Sequence, residues 1–297
     1  MQLNTGLIKV NDIDFNLLIN DSIFHSKKIT INDLYFYDYK DKRLPFQHGI
    51  EKPLLTDLLV RIKPKILIDS ILLKNAGIEY EVFNDKTQQI GIVKLSKIRG
   101  AITGVKSDDF LPSDSIKFNL FARFMGATDL RASYAQSFTD SLSSFQLKMI
   151  ASSFNLRTLN PLLKPFASAL IKRGHLDTIR MSVVGQKYVA YGIMKMHYHN
   201  LKVQYLNKGI EENPSLRSWL ISFFANRIVN NKNLDGSGEV YAERDPERGF
   251  VNYWVKIFIG GLFTNTGVRT DNKQEKKYNQ SIEKYNVPPI PDIPVDF

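Results

Sequence analysis

Most of the chain between residues 6 and 205 alternates between apolar and polar side chains with a period of two. Runs rich in Ile, Val, Tyr and Phe show this alternation most clearly at 66–82, 116–124, 145–151, 179–184 and 193–203. Successive side chains of a β-strand point to opposite faces, so the alternation predicts strands with one buried face. The pattern therefore predicts a mostly β protein with a long, bent antiparallel sheet.

A local pattern recurs within these runs: apolar, any, apolar, two polar residues, apolar, any, apolar. It occurs at 8–15, 29–36 and 66–73, and more loosely at 93–98 and 196–203. The step of three residues in the middle moves the second half of the strand to the other face, unless a bulge or bend absorbs one residue. We therefore expect long strands with a break. The pattern leaves open whether helices, a second sheet or a ligand cover the apolar face.

Helical periodicity predicts covering or capping helices near 160–173, 214–230 and 246–263. The first begins at Asn160-Pro161 and has Lys172 and Arg173 in its last turn, with Gly174 after it, which are typical helix end signals. The apolar run at 250–263 is shorter than the ~20 residues that span a bilayer.

These signals divide the chain into three parts. Residues 1–205 form a β-rich domain and residues 206–268 a helical cap. Residues 269–297 are first charged and then proline-rich, which predicts an extended or disordered tail or, alternatively, a docking strap for a partner.

The charge of the chain favours an anionic partner. The 297 residues carry 40 Lys and Arg against 30 Asp and Glu, which gives a net charge of +10. Between residues 148 and 202 the only acid is Asp177. This segment fits either a solvated face or a face near lipid headgroups, a membrane surface or nucleic acid, and the chain carries no nucleic-acid-binding motif. The basic candidates are Lys148, Arg157, Lys164, Lys172, Arg173, Arg180, Lys187, Lys195 and Lys202.

Candidate catalytic or metal-binding groups are sparse in the sequence. The chain has no cysteine and none of the nucleophile, phosphate-loop, dinucleotide or zinc-protease motifs. His197 and His199 have the spacing to share one side of a strand, but no third ligand is near in sequence. The glycine-rich residues 235–238 indicate a turn. We therefore predict no enzyme activity, no metal site and no cofactor.

Several short motifs resemble the carboxy-terminal region of the AsmA-like family. Asn155–Pro161, Lys172–Asp177 and Met194–Val203 resemble a strand, an LNP helix, a GxL turn and a YxxLxV strand in the family's order. Phe223–Ile228 and Arg244–Trp254 are similar to the closing helical segment of AsmA-like proteins from Bacteroidetes. The resemblance covers about residues 145–268.

The resemblance implies a taco-shaped hydrophobic groove that binds phospholipid and transfers it between the inner and outer membranes, supporting outer-membrane homeostasis. It also implies a location in the cell envelope, on the periplasmic side of the inner membrane, and a fragment of a longer protein. Expected partners are phospholipid or a membrane surface, and other envelope proteins through the tail. The alternative is a structural or scaffolding module of an envelope complex. Groove candidates are Ile29, Ile31, Leu34, Phe36, Ile66, Ile68, Ile71, Leu73, Phe145, Leu147 and Met149.

Overall fold

The computed structural model describes residues 1–85, 87–167, 169–206, 230–234 and 236–291. The protein is 51% strand and 21% helix, in one large, open, mixed sheet with a few helices. The prediction of a mostly β fold is therefore confirmed. Residues 214–229 of the second predicted helix and residues 292–297 of the predicted tail lie outside the described residues.

Among the described residues, the sheet contains thirteen strands and the chain forms five α-helices. The strands are β1 (Gln2–Asn4), β2 (Ile8–Ile13), β3 (Ile23–Asn32), β4 (Tyr35–Asp41), β5 (Lys65–Asn84), β6 (Gln89–Lys106), β7 (Ser115–Phe124), β8 (Thr128–Ser137), β9 (Phe145–Ala151), β10 (Phe154–Asn155), β11 (Ala169–Gly185), β12 (Val189–Tyr205) and β13 (Ser237–Glu243). The helices are α1 (Phe15–Asp21), α2 (Leu55–Val60), α3 (Asn160–Ala167), α4 (Phe250–Asn265) and α5 (Asp271–Tyr285), and a 3-10 turn covers Leu156–Leu159.

The sheet is mixed, whereas the sequence predicts an antiparallel one. Its main path runs β1-β4-β5-β6-β7-β8-β9-β11-β12-β13, and β2 extends it through β3. β3 and β4 both pair with β5 in parallel, one with each half of that strand. All other pairings are antiparallel. Alternation along a strand depends only on which face is buried, so it cannot report the direction of the neighbouring strand.

The predicted breaks coincide with left-handed residues at the second polar position of the pattern. Asp12, Asp33, Lys97 and Asn200 occupy that position and have φ between 50° and 55°. In β5 the left-handed residue is Asn75, φ 57°, and the register shifts on either side of Ala76. The second polar position of the pattern is thus left-handed in four places, and in β5 the left-handed residue comes five positions later. Asp and Asn tolerate this conformation better than most residues do.

Helix α3 shows that the sheet bends. It contacts both β6 and β11, which are separated in the sheet by β7, β8 and β9. The Pro165 carbonyl accepts hydrogen bonds from Asn84 Nδ2 at 2.7 Å and Thr87 Oγ1 at 3.0 Å, at the β5–β6 hairpin. A flat sheet would hold β6 and β11 about 19 Å apart, too far for one short helix to contact both. The sheet therefore curves around α3.

The first predicted helix is wrong at its end. α3 stops at Ala167, and Lys172, Arg173 and Gly174 lie in β11 instead of closing a helix. The backbone pairs with β12 from Ala169 onward, so the helix end signals are overridden by sheet pairing. Pro165 inside the helix also removes one helical hydrogen bond.

The third predicted helix, α4, begins at Phe250 rather than near 246. The preceding Asp245 caps a turn, since its carbonyl accepts from Arg248 N at 3.0 Å and its side chain accepts from Glu247 N at 3.1 Å. α4 packs on the sheet face that also contacts α2 and α3.

The predicted extended or disordered tail is wrong over residues 271–285, which form helix α5. Gln274, Tyr278 and Ser281 are spaced four and three residues apart and are buried together. Tyr278 and Ser281 contact Tyr191 and Tyr241 on the sheet face opposite α4, whereas Gln274 Nε2 donates to the Gly260 carbonyl of α4 at 3.0 Å. High overall polarity conceals a stripe of only one residue per turn. Residues 287–291 have no regular secondary structure.

Candidate functional site

The inner face of the sheet, defined as the face that contacts α2, α3 and α4, is apolar across ten strands. Residues that pair directly across strands lie on the same face, so rows can be followed through the register. One row runs through Val10, Ile29, Ile71, Ile102, Phe118, Tyr134, Leu147, Val183, Gly192 and Val240. The next runs through Ile8, Ile31, Leu73, Gly100, Leu120, Ala132, Met149, Met181, Met194 and Gly238.

Over the later strands this face is closed by protein side chains. Trp254 of α4 lies 5.1 Å from the Tyr134 ring and 5.9 Å from the Phe118 ring. Tyr253 contacts Phe145 edge-on, with 5.7 Å between ring centroids. Leu54, Leu55 and Leu59 at α2 and Leu163 of α3 join the same cluster. Helices therefore fill the trough from about β6 to β13 and over residues 66–71 of β5, and we call this region the closed part.

Two buried phenols in the closed part have hydrogen-bond partners. Tyr134 Oη donates to Gln136 Oε1 at 2.7 Å, and Tyr253 Oη donates to the Gln186 carbonyl at 3.2 Å. Burial raises the pKa of both phenols, and burial also raises the pKa of Tyr198 to about 12. These groups are thus neutral hydrogen-bond donors at physiological pH, as expected for a core rather than a reactive site.

Toward the amino-terminal edge the same face is exposed. Ile8 is 49% exposed and Val10 is 37% exposed, although both continue the rows that are buried farther along the sheet. A third row, beyond the break in β3–β4, contains Leu3, Phe36, Ile78, Leu95 and Phe124. Leu3 and Ile78 in this row are 61% and 39% exposed. We call this region the open part of the inner face.

The eleven predicted groove residues are divided between these two regions. Ile68, Phe145 and Leu147 are buried in the closed part, and Ile29, Ile66, Ile71 and Met149 pack against the same cluster. Ile31, Phe36 and Leu73 are half-buried on the inner face outside this cluster, and half-buried Leu34 follows the break at Asp33. Of the eleven residues, those that could line an accessible groove are therefore the half-buried ones: Ile31, Leu34, Phe36 and Leu73.

Sequence reasoning did not select Ile8, Val10, Leu3 or Ile78 as site residues. Ile8 and Val10 belong to the recurring pattern, so their strand was detectable. The exposure of these two side chains could not be detected from the sequence, because it depends on which strands the helices cover. Ile78 is the row neighbour of Phe36, and this relation follows only from the parallel pairing of β4 with β5.

The nine predicted basic residues do not form one cluster. Lys148, Arg180 and Lys195 lie in two adjacent rows on the outer face, opposite the helices. Arg173 and Lys202 are cross-strand neighbours at the far end of β11 and β12, with Lys172 beside them. Arg157 and Lys164 belong to the 3-10 turn and α3. Lys187 is in the β11–β12 hairpin and makes an ion pair of 3.4 Å with Glu51.

The histidines of β11 and β12 contact different polar side chains. His175 Nε2 lies 2.7 Å from Ser153 Oγ, and His199 Nδ1 lies 3.1 Å from Asp177 Oδ2. The serine and the aspartate thus contact different imidazoles, so they do not form a Ser-His-Asp relay. His197 pairs with Thr178. Among the described residues, no group of three His, Cys, Asp or Glu is placed to hold a metal ion.

Within the described residues, no helix combines the length and the apolar character needed to cross a bilayer. Comparison of the chain with protein-family models, with curated proteins and with solved structures gives no match.

Proposed function

We propose that the open part of the inner face binds phospholipid acyl chains, and that the chain forms the helix-closed end of a lipid-transfer groove. The observation that supports this proposal is the continuity of the apolar rows, which leave the buried core and reach Ile8 and Val10 at an exposed edge. Contiguous exposed apolar surface marks binding sites for proteins, membranes or ligands.

The energetics favour acyl chains on this surface. Each methylene removed from water contributes about 0.8 kcal/mol. The open part crosses β2, β3 and β5, a width of about 10 Å between the outer two strands, which accommodates lipid tails lying along or across the strands. The AsmA-like resemblance supports the same role and a place on the periplasmic side of the inner membrane. Under this proposal the protein performs no chemical reaction.

Copurification of phospholipid tests the proposal. The purified chain is examined by native mass spectrometry and by solvent extraction, before and after loading with fluorescent phospholipid. Ile8→Gln with Val10→Gln makes the inner face of β2 polar, and Lys9→Gln with Asn11→Gln changes the alternate, outer-face positions of the same edge strand. Because all four positions are exposed or half-exposed, we expect both proteins to fold with similar stability.

We expect the inner-face variant to lose most of its bound lipid and the outer-face variant to retain it. A wild-type chain that neither copurifies with phospholipid nor takes it up would refute the proposal, as would equal lipid binding by the two variants.

The alternative is a structural module of an envelope complex, in which another protein covers the open part. The filling of the inner face by α2, α3 and α4 favours this role, because little of the trough remains for a ligand. Lipid-free protein in the same experiment would support this alternative, and a defined protein partner whose binding fails with the Ile8→Gln and Val10→Gln variant would establish it.

A further inference from the structure

The outer face of the sheet carries a row of basic side chains that crosses six adjacent strands, β6 to β12. The register places Arg99, Phe121, Arg131, Ile150, Arg180 and Lys195 directly beside one another, and we call these six residues the basic row. Five strand spacings give the basic row a length of about 24 Å. Two residues of the basic row, Arg180 and Lys195, are among the nine basic residues predicted from the sequence; Lys148, in the adjacent row, is a third.

The rows beside the basic row are also positively charged. They add Lys117, Arg123 and Lys148, so that four rows contain seven basic residues. Two acids belong to these rows: Asp129, which makes a 3.0 Å ion pair with Arg123, and Glu239, which continues the row of Lys148 onto β13. Basic side chains therefore clearly outnumber acidic ones on this surface.

The Phe121 ring makes cation–π contacts with two of the guanidinium groups, those of Arg99 and Arg131. Its ring is 38% exposed, and the Arg99 and Arg131 guanidinium carbons lie 5.5 and 5.1 Å from the ring centroid. A hollow of about 110 Å³ beside them is also lined by Lys97 and Arg123. In the described part of the chain, neither Arg99 nor Arg131 makes an ion pair with a carboxylate. Planar guanidinium groups fixed in this way are suited to phosphate oxygens.

The positive surface continues to the amino-terminal strands. A concavity of about 500 Å³ on the outer face of β2, β3 and β5 is lined by three lysines, Lys9, Lys28 and Lys74, and by one acid, Asp12. The same edge of the sheet thus has an apolar inner face and a basic outer face.

We propose that the outer face binds the surface of an anionic phospholipid bilayer. Basic side chains interleaved with apolar ones are typical of surfaces that lie at a membrane interface, and Phe121 and Ile150 alternate with the arginines here. Within the basic row Phe121 is the one aromatic side chain, so this row lacks the series of aromatic platforms on which single-stranded nucleic acid stacks. This binding uses the face opposite the acyl-chain site and does not depend on it.

Vesicle cosedimentation tests the proposal with the full chain. The vesicles contain phosphatidylcholine alone or with about 30% phosphatidylglycerol, in about 0.1 M salt. The variant combines Arg99→Gln, Arg131→Gln and Arg180→Gln. A matched control combines Arg61→Gln, Lys63→Gln and Arg157→Gln, which remove three exposed charges near α2 and the 3-10 turn. Thermal melts establish that both variants fold.

We expect the wild type and the control to bind the anionic vesicles and not the neutral ones. Each lost charge should weaken binding about fivefold, so the basic-row variant should bind about a hundredfold more weakly. Equal binding by the variant and the control, or equal binding to neutral vesicles, would overturn the proposal. Tighter binding to an oligonucleotide than to vesicles, abolished in the basic-row variant, would overturn it in favour of nucleic acid. The Ile8→Gln and Val10→Gln variant should still bind vesicles, which separates this test from that of lipid uptake.

Discussion

Gly260 determines how closely α4 approaches the sheet, and Gly260→Ala should separate them. A Cβ atom at this position would lie 2.4 Å from the Tyr241 carbonyl oxygen. An ordinary van der Waals contact begins near 3.4 Å, so the helix and β13 must move apart by about 1 Å. The obstacle is backbone in a paired strand, which cannot swing aside as a flexible side chain can.

The expected cost combines two opposing effects. Overpacking of this kind costs about 1–3 kcal/mol, and a gap of 0.5–1 Å forfeits about a quarter to a half of the dispersion energy of the atoms across it. Alanine regains up to about 1 kcal/mol of helix propensity over glycine. We therefore expect Gly260→Ala to lower the free energy of unfolding by about 2 kcal/mol.

Chemical denaturation monitored by tryptophan fluorescence measures this change, because Trp254 lies in the same interface. Gly249→Ala is the matched control, since a Cβ atom there meets nothing within 4 Å, and it should cost no more than about 1 kcal/mol. If Gly260→Ala destabilises the protein no more than Gly249→Ala, the close approach of α4 does not limit the packing of the inner face.

Two further predictions concern α5 and the strand breaks. Burial raises the pKa of Glu243, but hydrogen bonds from Lys284 and Tyr285 outweigh this effect and lower the pKa below its ordinary value. The carboxylate should therefore stabilise the docking of α5 fully above the ordinary value of 4.5 and lose this effect as the pH falls through the lower folded pKa. Amide hydrogen exchange in α5 should accelerate as the pH falls through the folded pKa of Glu243, and Glu243→Gln should remove this pH dependence. At the β6 break, Lys97→Gly should stabilise the protein by up to about 1 kcal/mol and Lys97→Val should destabilise it. Urea titrations in which the unfolding midpoints of both variants shift in the same direction from the wild type would contradict this reasoning.

The two proposed binding surfaces are the two faces of one sheet. Neighbouring residues of β2 show this, because Val10 points to the inner face and Lys9 to the outer face. A protein of this kind can present acyl chains and headgroups with different surfaces on the same strands. The vesicle and lipid-extraction experiments distinguish the two roles, because the Ile8→Gln and Val10→Gln variant leaves the outer face unchanged and the basic-row variant leaves the inner face unchanged.

The sequence determined the strands, the presence of an apolar face and most of the breaks. These features depend on alternation over a few residues and on residues such as Asp33 that accept a left-handed conformation, so they are local. The aromatic cover of α4 was visible for the same reason. By contrast, α5 was missed because its buried stripe of Gln274, Tyr278 and Ser281 contains a single apolar residue.

Only the tertiary structure decided which part of the apolar face is closed and which basic residues act together. Arg99, Arg131 and Arg180 are distant in sequence and become neighbours through the register of paired strands. Phe145 and Val10 carry the same apolar signal, yet one is buried under α4 and the other is exposed at the edge. The physical reason is that periodicity reports the face on which a side chain lies, whereas its burial depends on what packs against that face from elsewhere in the chain.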